Sequence, residues 1–160
     1  MSTPLIKALT AEMRKQGWTQ KGFSTHLGFH PVKIDRWVEG SQLPRVHQME
    51  AAWRELGFTL LPVRLPSLTP RMVSGKTKEV RRVLPSQAHP LVFTLLAEID
   101  QRSLIHTDVL EAAGIAHDSF RSWANSPHLG RIADLEACFN VMGLSLLPFP
   151  IATLGLLNAA

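Results

Sequence analysis

The chain has 160 residues, 45% of them hydrophobic and 19% charged, a balance too apolar for a disordered protein. A net charge of +4 keeps nucleic acid open as a partner, while the single cysteine, Cys138, excludes an internal disulfide framework. No apolar run reaches the roughly 18 residues a bilayer span needs, and MSTPLIKALTAEMRK mixes charge too evenly for a secretory signal, so a cytoplasmic protein is expected.

In chain order, Thr3 is placed to cap a helix with Pro4 at its first position. Leu5, Ala8, Leu9 and Met13 then recur at helical spacing to about Gln16. Thr19 opens a second helix, Gln20 to Leu27, closed by Gly28. His30-Pro31 opens a third, through Trp37, which Gly40 stops. A fourth follows Pro44, with Val46, Met49, Ala52, Trp53 and Leu56 on its inner face, and Gly57 ends it. Phe58 to Arg64 reads as extended, because Pro62 would break a helix interior. Residues 67–88 are rich in Pro, Ser, Thr and basic side chains and lack an apolar period. They read as a linker, with at most one short helical or extended piece around Lys78–Leu84.

Beyond the linker the pattern starts again. Shifting the chain by 86 positions lays 4–64 over 90–150 without a gap. Fifteen of those pairs are identical, among them Pro4/Pro90, Glu12/Glu98, Gly28/Gly114, Trp37/Trp123, Arg45/Arg131, Gly57/Gly143 and Leu60-Leu61-Pro62 with Leu146-Leu147-Pro148. An unbroken register with matched apolar positions marks a duplication. Helices are expected near 90–102, 107–113, 117–125 and 131–142, then an extended piece over Leu144–Phe149. The two extended segments are candidates to pair with each other, joining the copies into one pseudo-twofold unit and covering otherwise open edges. Three segments result: 1–66, the linker 67–88, and 89–160.

Charge is unevenly shared. Residues 1–66 carry 9 Lys/Arg against 5 Asp/Glu, residues 67–88 carry 5 against 1, and residues 89–160 carry 3 against 7. Phosphate contacts are therefore expected from the first copy and the linker.

The stretch TQKGFSTHLGFHPVKIDRWVEG, residues 19–40, resembles the helix-turn-helix of the lambda-repressor-like (Cro/XRE-type) family. The resemblance rests on Thr19-Gln20, Gly28, Ile34, Gly40 and Leu56-Gly57, and it extends over nearly all of each copy. It implies a mainly α protein of two tandem four-helix domains, each followed by a short strand. By position, Gln20 would touch a phosphate and the third helix would lie in the major groove. His30, Pro31, Val32, Lys33 and Arg36 would face the duplex, with Lys33 and Arg36 reading guanine edges or nearby phosphates and Val32 a thymine methyl. Lys21 would add a phosphate contact, and Arg45 falls in the segment that in this family approaches the backbone or minor groove. In the second copy His106 replaces the Gln, and Asp118 would meet phosphates unfavourably. His117, Ser119, Arg121, Ser122 and Arg131 are the contacts left there, and a role in dimerisation or in binding another protein is equally open for that copy.

Trp37, Trp123 and Trp53 fit core positions better than base stacking, and so does Trp18. His26 and His30 are four apart, but Gly28 divides them and no third ligand is near, so no metal is expected. Cys138 matches Ala52 and reads as a small buried residue. Lys33 and Arg36 on an isolated helix would be ordinary solvated charges; the resemblance is what turns them into contacts. No phosphate-cradling loop, nucleophile elbow or carboxylate pair is visible, so neither an enzyme nor a cofactor is expected.

The expected function is a sequence-specific double-stranded DNA-binding transcriptional regulator, of the kind carried by phages and mobile elements. RNA polymerase or another regulator is a candidate partner of the second copy, and a homodimer stays open. The alternative is a protein-interaction module, antitoxin-like or anti-repressor, using the same helices.

Overall fold

The computed structural model describes residues 3–68, 70, 88–126 and 130–157. Most of the expected linker, including Lys76, Lys78, Arg81, Arg82 and the piece around Lys78–Leu84, lies outside the described residues. Among those described there are nine helices and two strands: α1 (Pro4–Lys15), α2 (Gln20–His26), α3 (Lys33–Glu39), α4 (Val46–Glu55), β1 (Phe58–Arg64), α5 (Pro90–Gln101), α6 (His106–Ala112), α7 (His117–Asn125), α8 (Ile132–Val141), β2 (Leu144–Pro150) and α9 (Ile151–Leu157). The duplication is thus visible as one order of elements, four helices and a strand, run through twice. None of these helices is long and apolar enough to cross a membrane.

Helix α1 begins where the Thr3 side chain accepts from the Ile6 N–H and Pro4 occupies the first turn; Arg14 and Lys15 complement its carbonyl end. Its buried face is Leu5, Ile6, Leu9 and Met13, whereas Ala8, expected inside, is exposed. Ile6 displaces Ala8 because a branched side chain one residue after Leu5 still falls on the inner arc and buries far more surface. The Thr19 hydroxyl caps α2 by accepting from Gly22 N–H at 3.1 Å. In α4, Val46, Met49, Ala52, Trp53 and Leu56 are all buried, as their period predicts.

Helix α3 departs from expectation. It begins at Lys33, not at His30-Pro31, because His30 to Lys33 closes a separate turn in which Lys33 N–H donates to His30 C=O at 2.8 Å. No side chain of α3 caps its start. Instead the buried Ser24 hydroxyl, on α2, accepts from Ile34 N–H at 3.3 Å. The counterpart of Ser24 in the second copy is Leu110, which offers no acceptor, and there α7 starts at His117, the counterpart of Pro31. A Ser24→Ala change should therefore cost about 1–2 kcal/mol, the price of a lost cap and an unpaired buried N–H. Urea unfolding followed by tryptophan fluorescence checks this, and an unchanged midpoint would contradict the capping role.

The chain divides into two compact units whose limits cross the repeat. The first contains residues 1–44, 48–61 and 146–160; the second contains 45–47 and 62–145. Each unit therefore takes a segment from the other half of the sequence. In the first, Ile151 N–H donates to Gly57 C=O at 2.9 Å, just past the ends of the antiparallel β1–β2 pair. That bond sets Leu61 opposite Leu147, its own counterpart in the duplication. It also turns the nitrogens of Pro62, Pro148 and Pro150 away from the partner strand, so proline removes no ladder bond and blunts the sheet edges. Helix α9, absent from the expected elements, follows at once on Pro150.

The first unit's core includes Phe23, Ile34, Trp37, Met49, Trp53 and Leu60, all buried, and Leu146 is buried with 2% exposure. In the second unit Leu95, Ile99, Val109, Leu135, Cys138 and Phe139 are buried. One tie recurs in both copies. Gln16 donates from Nε2 to Glu12 and to Leu56 C=O, each at 3.0 Å. Its counterpart Arg102 donates from Nε to Glu98 at 3.1 Å and from a terminal nitrogen to Met142 C=O. Both fasten the end of the first helix of a copy to the carbonyl end of the fourth.

Burial pushes the Cys138 thiol up to about 12 from 9.0, with the neighbouring Asp134 carboxylate adding to the effect. Asp134 is itself raised by burial against the lowering pull of Arg131. A thiol reagent at pH 8 should label Cys138 only as fast as the second unit opens. The raised thiol contributes stability that is intact below pH 9 and is lost as the pH climbs toward 12. Labelling at the rate of a free thiol in native buffer would contradict this burial.

Candidate nucleic-acid interface

In the first unit α2 and α3 are joined by a turn built on Gly28, whose φ of 70° is a backbone state that side chains with a Cβ resist. Phe29 N–H donates to Ser24 C=O at 2.8 Å, and the Phe29 ring meets Trp37 edge-on at 5.8 Å. Below α3 lie Ile34 and Trp37, each fully buried. Trp37 is thus a packing residue that fixes the roll of α3, and so decides which side chains point outward.

With 3.6 residues per turn, burial of Ile34 and Trp37 sends Arg36 outward and leaves Lys33 at the flank. Arg36 is exposed and Lys33 half-buried. Val32, in the turn before the helix, is 38% exposed and is one of two large apolar residues so open among those described. His30 and Lys21 are exposed; Pro31 and Gln20 are half-buried, Gln20 and Lys21 forming the first turn of α2. Among the described residues Lys21, Lys33 and Arg36 make no ion pair, whereas Lys15 meets Glu12 at 3.4 Å, Arg54 meets Glu50 at 3.6 Å and His26 meets Glu55 at 2.7 Å. Lys7, Arg14 and Arg64 are likewise outside these pairs, so what sets Lys21, Lys33 and Arg36 apart is their place on and beside α3.

Two acidic residues share that helix. Asp35, half-buried, and Glu39, exposed, also lie on its outer side, so α3 carries no net charge; neither is among the residues expected to face the duplex. Their five-residue span along the chain was readable, but not their position around the axis until the buried face was known.

In the second unit α6 and α7 are related in the same way. His117, Asp118, Ser119 and Arg121 are exposed, and Phe120 and Trp123 are buried beneath them. Ser122 is half-buried and its hydroxyl donates to Ser119 C=O at 2.6 Å, which spends its proton inside the helix. The His106 and His117 rings lie 5.5 Å apart. Arg131 is exposed and forms an isolated antiparallel bridge with Arg45, its counterpart in the duplication. Val46 N–H donates to Gly130 C=O at 2.9 Å beside it. Arg45 accordingly falls with the second unit. The expected contacts thus gather in two sets: Gln20, Lys21, His30, Val32, Lys33 and Arg36 in one unit, and Arg45, His117, Ser119, Arg121, Ser122 and Arg131 in the other. Among the described residues no three His, Cys, Asp or Glu side chains come together as a metal site.

No protein-family model, curated protein or solved structure matches this chain.

Proposed function

We propose that the chain is a sequence-specific double-stranded DNA-binding regulator of transcription, of the kind found in phages and mobile elements. In this reading each copy is a lambda-repressor-like helix-turn-helix domain, and α3 enters the major groove. What supports it is the outer side of α3. Arg36, Lys33 and the exposed Val32 stand over a buried pair, Ile34 and Trp37, with neither cation held in an ion pair among the described residues. Gln20 and Lys21 would hold phosphates at the rim, and Arg45 with Arg131 would supply a paired cationic contact to the backbone. The acidic balance of the second copy suits a protein contact, with polymerase as the natural candidate.

The test is titration of duplex DNA at stepped salt. Each neutralised phosphate contributes a slope of about −0.9 in log K against log salt, so about four contacts weaken binding on the order of a hundredfold between 50 and 200 mM. A flat response would remove nucleic acid from the reading. The presence of Asp35 and Glu39 on α3 favours one rival, a protein-interaction module, and absence of any duplex binding at low salt would select it.

A further inference from the structure

The second unit contains an open cavity of about 580 Å³ lined by Pro62, Arg64, Glu98, Gln101, Arg102 and Leu144. That volume lies in the range of small-molecule sites and far exceeds what an inorganic ion fills. Two guanidinium groups and one carboxylate line it, and that carboxylate is already engaged by Arg102 Nε. Arg102 is held at two points, Glu98 and the Met142 carbonyl, which leaves three of its five N–H donors without a partner among the described residues. Arg64, at the end of β1, is exposed and makes no ion pair among the described residues.

The duplication supplies an internal comparison. In the first copy the counterpart of Arg102 is Gln16, which fastens the same two kinds of partner with no charge, while Lys15, paired with Glu12 at 3.4 Å, stands where the second copy has Gln101; in the second copy the counterpart of Arg64 is Pro150. The fold therefore needs an amide's hydrogen bonds at this place, not a guanidinium. Two arginines and a single carboxylate among the lining residues leave one positive charge at the cavity that this tie does not use.

We propose that this cavity binds a small organic anion, a carboxylate or phosphate monoester with a short apolar body. The oxyanion would sit between Arg64 and the free donors of Arg102, and the apolar part against Pro62 and Leu144. The inference is independent of whether α3 reads DNA.

The experiment is a titration of the ¹⁵N-labelled full chain at constant ionic strength, followed by amide and arginine side-chain resonances. The probes are butyrate, butyl phosphate, inorganic phosphate and neutral butyramide. Saturable shifts centred on Gln101, Arg102 and Leu144 are expected with butyrate or butyl phosphate, and the stronger of the two identifies the headgroup. Arg64→Gln and Arg102→Gln should each weaken that binding roughly tenfold or more. Their unfolding midpoints should stay near the parent's, since glutamine already serves at position 16, the counterpart of Arg102, and Arg64 is exposed. Four results would each overturn the site: no saturable shift from either organic anion, an equal response to butyramide, saturation by inorganic phosphate as tight as by butyl phosphate, or full affinity in both variants.

Discussion

Deleting residues 146–160 should unfold the first copy of the duplication, although the deletion begins more than 100 positions after α3. These residues belong to the same compact unit as α1–α3, supply half of the strand pair, and bury Leu146. Leu146 alone accounts for about 1.5–3 kcal/mol of apolar transfer, and the strand partner of Phe58–Leu61 is lost with it. A unit of this size holds net stability on the order of 5 kcal/mol, so most of it disappears. Trp18, Trp37 and Trp53 all lie in the first unit and Trp123 in the second, which makes fluorescence a selective reporter. The shortened chain should show a red-shifted spectrum and no cooperative urea transition from those three indoles. A native-like transition at the parent midpoint would show that the first unit stands without the borrowed segment.

The second large effect concerns α3. Lys33→Ala and Arg36→Ala together should reduce affinity for a preferred duplex by about 2–6 kcal/mol, taking 1–3 for each lost base or phosphate contact. Both side chains lie off the buried face, so the double variant should unfold where the parent does, and a loss of affinity would then reflect DNA contact and not unfolding. Fluorescence anisotropy on a labelled duplex measures it. Binding retained within a factor of two would remove α3 from the contact surface.

Sequence made much of the scaffold legible, for identifiable reasons. The inner face of α4 was readable because Val46, Met49, Ala52, Trp53 and Leu56 keep one helical period, and β1 because Pro62 forbids a helix there. The pairing of the two strands followed from the duplication itself, since two apolar edges of like sequence cover each other. What escaped depends on contacts through space. Ser24 sets the start of α3 from a different helix, and nothing in the 30–36 segment records that. Ile6 rather than Ala8 faces the core because, of two residues near the edge of the inner arc, the larger one buries more surface. The exchange that places Arg45–His47 in one unit and Leu146 in the other is invisible to a repeat alignment, which matches segments without saying where each one packs. Helix α9 escaped because its apolar, uncharged run has no polar face to give it a period.

Selection of bound duplexes from a randomised pool, with the parent chain and with the Lys33→Ala/Arg36→Ala variant side by side, tests most directly whether α3 reads bases. The parent should enrich one defined and asymmetric site, since α3 and α7 differ at every outward position, and the variant should lose preference at the base pairs those two side chains touch. The same enriched site from both chains, or no enrichment from the parent, would contradict the assignment of α3 as the reading element.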